Sequence, residues 1–190
     1  MTSVSARKPA PPPGYLAVIR TIDRFTEVTA YLFVIVIVPL VLANCVEVVA
    51  RYVFRAPTIW ALDVTTMSYG ALFMLGAALA LLRGAHVRTD ILWDRFSDRT
   101  KGMIDTVALT LFFLPTMVVL FVISIDDFWH AYSIDERSSP GAWTPILWPL
   151  RGVIPLTAFM LFLQGISEIM KSLWAWRTGE FLTKHEKIEV

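Results

Sequence analysis

The chain has 190 residues, of which 56% are hydrophobic and 17% are charged, and its formal net charge is +1. Soluble domains carry about 25% charged residues, and a mean hydropathy of +0.60, together with long charge-free runs, excludes an ordinary soluble enzyme. A single cysteine, Cys45, excludes a disulfide scaffold, and the near-zero net charge gives a nucleic-acid partner no electrostatic support.

Three stretches of the chain differ in composition. Residues 1–14 are polar and proline-rich, so they cannot bury an apolar core and are predicted to be a disordered tail. Residues 15–176 are predicted to form a four-helix membrane domain, and residues 177–190 a cytoplasmic tail.

The membrane domain is predicted from four runs that contain no Asp, Glu, Lys or Arg. These runs cover residues 28–46, 64–82, 106–125 and 152–167. A helix rises about 1.5 Å per residue, so runs of this length approach the hydrocarbon thickness of a bilayer, about 30 Å. The pattern predicts an all-α, multi-pass membrane protein with four transmembrane helices.

Basic residues predict the orientation of these helices. If the N-terminus is cytoplasmic, thirteen of the 17 Lys and Arg residues fall on the cytoplasmic side, as the positive-inside rule requires. Both termini are therefore predicted to be cytoplasmic. The tryptophans agree, because indole rings prefer the membrane–water interface and none of the seven lies within a charge-free run. The predicted interfacial anchors are Trp60, Trp129, Trp143 and Trp148 on the outer side and Trp93, Trp174 and Trp176 on the inner side.

Polar residues mark the outer end of the first span. Asn44, Glu47 and Arg51 are spaced three and four residues apart, which places them on one face of a helix. This stripe is expected to face protein or water rather than lipid. The alternatives are a local Glu47–Arg51 salt bridge, a contact with another subunit, or a proton- or ion-coupling carboxylate at Glu47. The last is disfavoured because Glu47 lies at the end of the span and not in its middle.

The second span is predicted to pack closely against another helix. Gly76, Ala80 and Gly84 recur every four residues, and small side chains let two helix backbones approach. The pattern leaves open whether that neighbouring helix belongs to this chain. Asp63 lies at the boundary of this span, where water is expected to solvate it.

The connection between the second and third spans is predicted to hold an interfacial amphipathic helix on the inner leaflet. Val87, Ile91, Leu92 and Phe96 lie near one helical face, and the charged residues lie largely elsewhere. This helix is either an anchored connector or an arm that contacts a partner subunit. Ser97 is predicted to cap the helix that follows.

Proline residues interrupt three of the spans, at Pro39, Pro115 and Pro155, and are expected to bend them. The outer connection, residues 126–151, is rich in Pro and Trp and acidic in its first half. It is predicted to be a rigid loop at the membrane interface. Such a loop is either an anchor only or the segment that meets a soluble partner.

The inner end of the fourth span repeats the spacing of the first. Gln164, Glu168 and Lys171 are four and three residues apart, which predicts a contact face or local pairing. The candidates for contact with another subunit are Asn44, Glu47, Arg51, Asp63, Gly76, Ala80, Gly84, Gln164 and Glu168.

The sequence contains no pattern that indicates a catalytic site or a metal site. The three histidines do not form the facing pair at similar depth that a haem requires, and no metal, phosphate-binding or hydrolase motif is present. No catalytic residue, metal or cofactor is therefore predicted for this chain.

The segment 47–94 carries a set of motif positions around the second span. They are Arg51, Tyr52, Phe54 and Trp60, then the acidic Asp63, then His86, Val87, Arg88 and Asp90 after a Gly/Ala-rich helix. This segment resembles the small membrane subunit of tripartite ATP-independent periplasmic (TRAP) transporters, the DctQ-like family. The likeness extends over roughly residues 20–175.

The resemblance implies a non-catalytic scaffold subunit in the bacterial cytoplasmic membrane. Its partners would be a large membrane subunit, which binds the substrate and Na⁺, and a periplasmic solute-binding protein that delivers a small organic acid. The absence of an ionisable residue at mid-membrane agrees with this role. One alternative is a stand-alone, small homodimeric transporter coupled to ions or protons, for which only Glu47 and Glu168 come close to an embedded carboxylate. The other, a membrane anchor for a redox enzyme, is disfavoured by the histidine count.

Overall fold

The computed structural model describes residues 11–84, 96–138 and 143–182. Within these ranges the chain is helical. The α-helices are α1 (Pro13–Phe33), α2 (Ile37–Tyr52), α3 (Ala61–Leu82), α4 (Asp98–Ala108), α5 (Leu114–Ser133) and α6 (Trp148–Thr178). A 3₁₀ turn, Val34–Val36, joins α1 to α2, and a π-helical turn, Leu109–Phe113, joins α4 to α5.

Within the described residues, four helical stretches are long and apolar enough to cross a membrane, which confirms the prediction of four such helices. They are Pro13–Tyr52, Ala61–Leu82, Asp98–Ser133 and Trp148–Thr178. In the described ranges, the β-structure is an isolated antiparallel bridge between Arg137 and Ile146 in the α5–α6 connection.

The helices extend well beyond the charge-free runs. Helix α1 begins at Pro13, inside the segment assigned to the N-terminal tail, because proline suits the first turn of a helix, where its missing N–H is not needed. Residues 1–10 lie outside the described part of the chain. At the other end, α6 continues to Thr178 and stops at Gly179, whose φ of 75° is the left-handed conformation that glycine adopts without strain.

The predicted interfacial helix between the second and third spans falls on residues 85–95, which lie outside the described residues. The same holds for His86, Val87, Arg88, Asp90 and Trp93. The predicted cap at Ser97 is confirmed. Its hydroxyl accepts a hydrogen bond from the Thr100 backbone N–H at 3.3 Å and so starts α4.

Helix α6 lies at the centre of the fold. Half of its most apolar window is buried, whereas the corresponding share is 6% in the first and third helical stretches. It packs against α1, α3, α4 and α5. The buried core comprises Ala78, Leu81, Met160 and Leu161. Most other apolar side chains point outward, as expected of a protein surrounded by lipid or by other membrane subunits.

The prolines in the spans coincide with departures from α-helical geometry in two of three cases. The ring of a helical proline collides with the carbonyl four residues earlier. For Pro39 that carbonyl belongs to Ile35, in the 3₁₀ turn, and for Pro115 it belongs to Leu111, in the π-helical turn. Pro155 lies inside α6, which remains α-helical through it.

Candidate functional sites

The polar stripe predicted on the first span lines a cavity of about 350 Å³ between α2 and α3. We call it the α2–α3 cavity. It is lined by Asn44, Glu47, Arg51, Thr58, Ile59, Ala61, Leu62 and Thr65. The spacing on α2 therefore does bring the three predicted side chains to one surface, and the α2–α3 connection supplies the facing wall.

Both carboxylate oxygens of Glu47 accept hydrogen bonds at this cavity. One of its carboxylate oxygens, Oε1, accepts hydrogen bonds from Arg51, from Nε at 2.9 Å and also from Nη2. The other, Oε2, accepts the Thr58 backbone N–H at 2.9 Å and the Thr58 hydroxyl. The local salt bridge considered for the sequence is thus present, and the same carboxylate also ties the α2–α3 connection to the end of α2.

Arg51 has hydrogen-bonding capacity left over. Its side chain is 56% exposed, and within the described residues its Nη1 group donates to no acceptor. Asn44 is exposed on the same helix face, and its amide Nδ2 donates to the Leu40 carbonyl at 2.7 Å. The cavity therefore presents a guanidinium donor toward whatever lies beside it.

Asp63 occupies a different environment from the one expected. The expectation that water solvates it at the span boundary is wrong, because Asp63 is only 5% exposed. Its Oδ1 accepts the Ser138 hydroxyl at 3.2 Å, and its Oδ2 has no partner among the described residues. The α5–α6 connection folds back over the start of α3 and covers this carboxylate.

The small-residue ladder of α3 is open at its first member. A Cβ built on Gly76 would meet no atom of this chain within 4 Å. Ala80 is half-buried, and Gly84 follows the helix with a φ of 69°. The described part of the chain therefore supplies no neighbouring helix at Gly76.

A second polar cluster lies between α1 and α6, and we call it the α1–α6 network. It comprises Asp23, Thr26, Gln164, Ser167, Glu168 and Lys171. The Lys171 ammonium lies 2.8 Å from Asp23 Oδ2 and 2.7 Å from Glu168 Oε1. Gln164 is fully buried, and its Nε2 donates to both carboxylates at 3.1 Å.

The α6 side chains predicted as a contact face therefore contact α1 of the same chain, and the local Glu168–Lys171 pairing is present. Asp23 and Thr26 were missed from the sequence. Asp23 stands between Arg20 and Arg24, which offer its carboxylate local partners of opposite charge. Its signal was its position in a stripe of α1 with Ile19, Thr26 and Ala30, all three of which are buried.

The α5–α6 connection is fixed by a third set of contacts. Arg151, at the start of α6, donates to Asp127 of α5 and to Glu136 of the connection, the latter at 2.7 Å. The rings of Tyr132 and Trp148 pack edge to face, with centroids 5.5 Å apart. Trp129 and Trp143 are exposed, Trp176 is just exposed, and Trp60, Trp148 and Trp174 are half-buried.

Metal ligands do not gather in the described residues, where no group of three or more His, Cys, Asp or Glu could hold an ion. The polar clusters instead join helix to helix.

A family model described as "Tripartite ATP-independent periplasmic transporters, DctQ component" matches residues 40–174. The chain belongs to this family. The match confirms the resemblance seen in the sequence, and it makes this DctQ protein a component of a transporter rather than a member of an enzyme family. No curated protein matches the chain.

The matched range contains the whole α2–α3 cavity and the α6 half of the α1–α6 network. Helix α1, with Asp23 and Thr26, lies before it. The cavity is therefore a feature of the family-matched part of this DctQ protein, whereas the network joins that part to the N-terminal helix.

Proposed function

We propose that this chain is the small scaffold subunit of a Na⁺-coupled importer of small organic acids in the bacterial cytoplasmic membrane. It works with a large membrane subunit, which binds substrate and Na⁺, and with a periplasmic solute-binding protein. The observation that carries the proposal is the match to the DctQ component over residues 40–174. No cofactor is needed in this chain, and both termini face the cytoplasm.

The contacts of the Glu47 and Glu168 carboxylates support a scaffold subunit over a stand-alone transporter. A coupling carboxylate has to bind and release a proton or an ion. Glu47 already accepts four hydrogen bonds from Arg51 and Thr58. Glu168 is paired with Lys171 and accepts a hydrogen bond from Gln164. Ion or proton binding at Glu47 would have to displace these hydrogen bonds, and at Glu168 it would have to compete with the Lys171 ammonium, so both groups suit the homodimeric alternative poorly.

Glu47→Gln tests this role. The glutamine amide places an N–H₂ group where donors of Arg51 or Thr58 now point, so the α2–α3 connection should be held less firmly to the end of α2. The yield of co-purified large subunit and the substrate uptake in proteoliposomes should then fall together. Cys45→Ala, at an exposed neighbouring position, is the control and should leave both unchanged.

The opposite pattern would favour the alternative. If Glu47→Gln abolished uptake while the complex still assembled in full yield, Glu47 would be a coupling carboxylate. The scaffold role would then be wrong.

The orientation is tested by fusion of alkaline phosphatase, which is active only outside the cytoplasm. A fusion after residue 137, in the α5–α6 connection, should be active, and one after residue 95 should be inactive, because thirteen of the 17 basic residues then lie inside. The reverse activities would invert the topology and place the α5–α6 connection on the cytoplasmic side.

A further inference from the structure

Helix α3 exposes a single narrow stripe of side chains. Five of its residues are exposed, and the other positions are buried or half-buried against α1, α2 and α6. The exposed residues are Leu62, Thr66, Tyr69, Phe73 and Gly76. We call them the α3 stripe.

The spacing of the α3 stripe is that of a helix-packing seam. Its members are separated by four, three, four and three residues, which is the heptad repeat of helices that cross at about +20°. Tyr69 and Phe73 are 64% and 74% exposed, whereas Gly76 leaves an open notch one turn further on. Two large side chains followed by an open position fit the holes and knobs of a second helix.

The α3 stripe is continuous with the α2–α3 cavity, because Leu62 belongs to both. A helix lying along the stripe therefore brings its end beside Arg51. There the unused N–H groups of the guanidinium can donate to an acceptor, a carboxylate above all. The polar and apolar parts of the surface thus specify one elongated partner.

We propose that a transmembrane helix of the large membrane subunit packs along the α3 stripe and seats a carboxylate against Arg51 in the α2–α3 cavity. This inference rests on the proposed function. It identifies α3, together with the end of α2, as the part of this chain that joins the scaffold of the transporter.

A second copy of this chain fits the surface less well. Two copies inserted in the same direction are related by an axis along the membrane normal, so equal residues meet at equal depth. Phe73 would face Phe73, where the two rings would compete for the same space, and Gly76 would face Gly76, where an unfilled gap would remain. The two Arg51 guanidinium groups would also approach each other. A helix of different sequence can place a small residue at Phe73, a large one at Gly76 and an acidic one at Arg51.

An acyl chain is also a poor occupant. Tyr69 lies about 12 Å along the axis of α3 from the first residue of that helix. Its hydroxyl group has no hydrogen-bond partner among the described residues. Lipid tails have neither a donor nor an acceptor for it. A polar side chain of a packed helix supplies one.

Photo-crosslinking in the assembled complex tests the proposal. The photoreactive p-benzoylphenylalanine replaces Phe73 in this chain, co-expressed with its large membrane subunit. The same substitution at Phe112 is the control, because Phe112 is equally exposed, at 72%, but lies in the π-helical turn before α5. Illumination should join the Phe73 variant to the large subunit, and the Phe112 variant should give at least tenfold less of that product.

A second pair of variants tests the cavity. In the Phe73 crosslinking variant, Arg51→Gln should lower the yield of the product by about tenfold or more, as expected for a lost charge-assisted hydrogen bond. Arg55→Gln, at an exposed arginine that does not line the cavity, should leave the yield unchanged. Equal yields in the two variants would remove Arg51 from the contact.

The remaining outcomes separate this inference from the function on which it rests. A product of twice the mass of this chain would assign the stripe to a second copy. A lipid adduct, or no protein product, in a preparation that still contains the large subunit would overturn the docking surface and leave the scaffold function intact. Failure of the large subunit to co-purify with the unsubstituted chain would overturn the proposed function itself.

Discussion

Lys171→Met is expected to lower the free energy of unfolding by about 3–5 kcal/mol, because it leaves the buried Glu168 carboxylate and the half-buried Asp23 carboxylate without their cation. Lys171 is 5% exposed, and its ammonium lies 2.8 Å from Asp23 and 2.7 Å from Glu168. The methionine fills similar space, so the loss comes from charge rather than from a cavity. Thermal denaturation of the purified protein in detergent measures the effect.

A matched control and a rescue isolate the electrostatic cause. Lys101→Met removes a lysine whose ion-pair partner among the described residues, Asp98, is 4.0 Å away and 57% exposed, so it should cost at most about 1 kcal/mol. Adding Asp23→Asn and Glu168→Gln to Lys171→Met should recover part of the lost stability. If Lys171→Met unfolded at the temperature of the unsubstituted protein, the α1–α6 network would not hold α1 in place.

The features that were predicted from the sequence depend on short windows of the chain. The four helical stretches follow from the clustering of charges, because hydrocarbon excludes charged side chains wherever the helix lies. The Ser97 cap and the Glu47–Arg51 pair are also local, since their partners are three and four residues away. Such contacts need only a helix, and the sequence pattern specifies that helix.

The features that were missed depend on contacts between distant segments. Asp23 and Lys171 are in the first and last helices. The sequence offers Lys171 the local partner Glu168 and offers Asp23 its neighbours Arg20 and Arg24, and nothing in it indicates that Asp23 and Lys171 pair with each other. Asp63 was expected to be solvated because nothing in its neighbourhood indicates that the connection bearing Ser138 folds over it. The choice of partner for a polar side chain is made by tertiary packing, which a periodic pattern does not encode.

Glycines illustrate the same limit. The regular spacing of Gly76, Ala80 and Gly84 directed attention to α3, yet Gly76 meets nothing within the described chain. A close backbone approach at a glycine occurs instead at Gly102 of α4, which stands in a charged segment without any repeat. A Cβ built there would lie 2.5 Å from the Trp176 backbone nitrogen and 2.7 Å from the Ser172 carbonyl oxygen of α6.

Gly102→Ala should therefore destabilise the protein, although alanine is the better helix former. The methyl group collides with backbone atoms of α6 that cannot rotate away, so the two helices must separate, at a cost of about 1–3 kcal/mol or more. Gly70→Ala is the matched control in α3, because its Cβ would meet only the Leu150 side chain, at 4.0 Å. There the change should stabilise the helix by about 0.5–1 kcal/mol. Opposite shifts of the melting temperature for the two variants are the expected result, and a shift of the same sign in both would mean that α4 does not pack on α6 through Gly102.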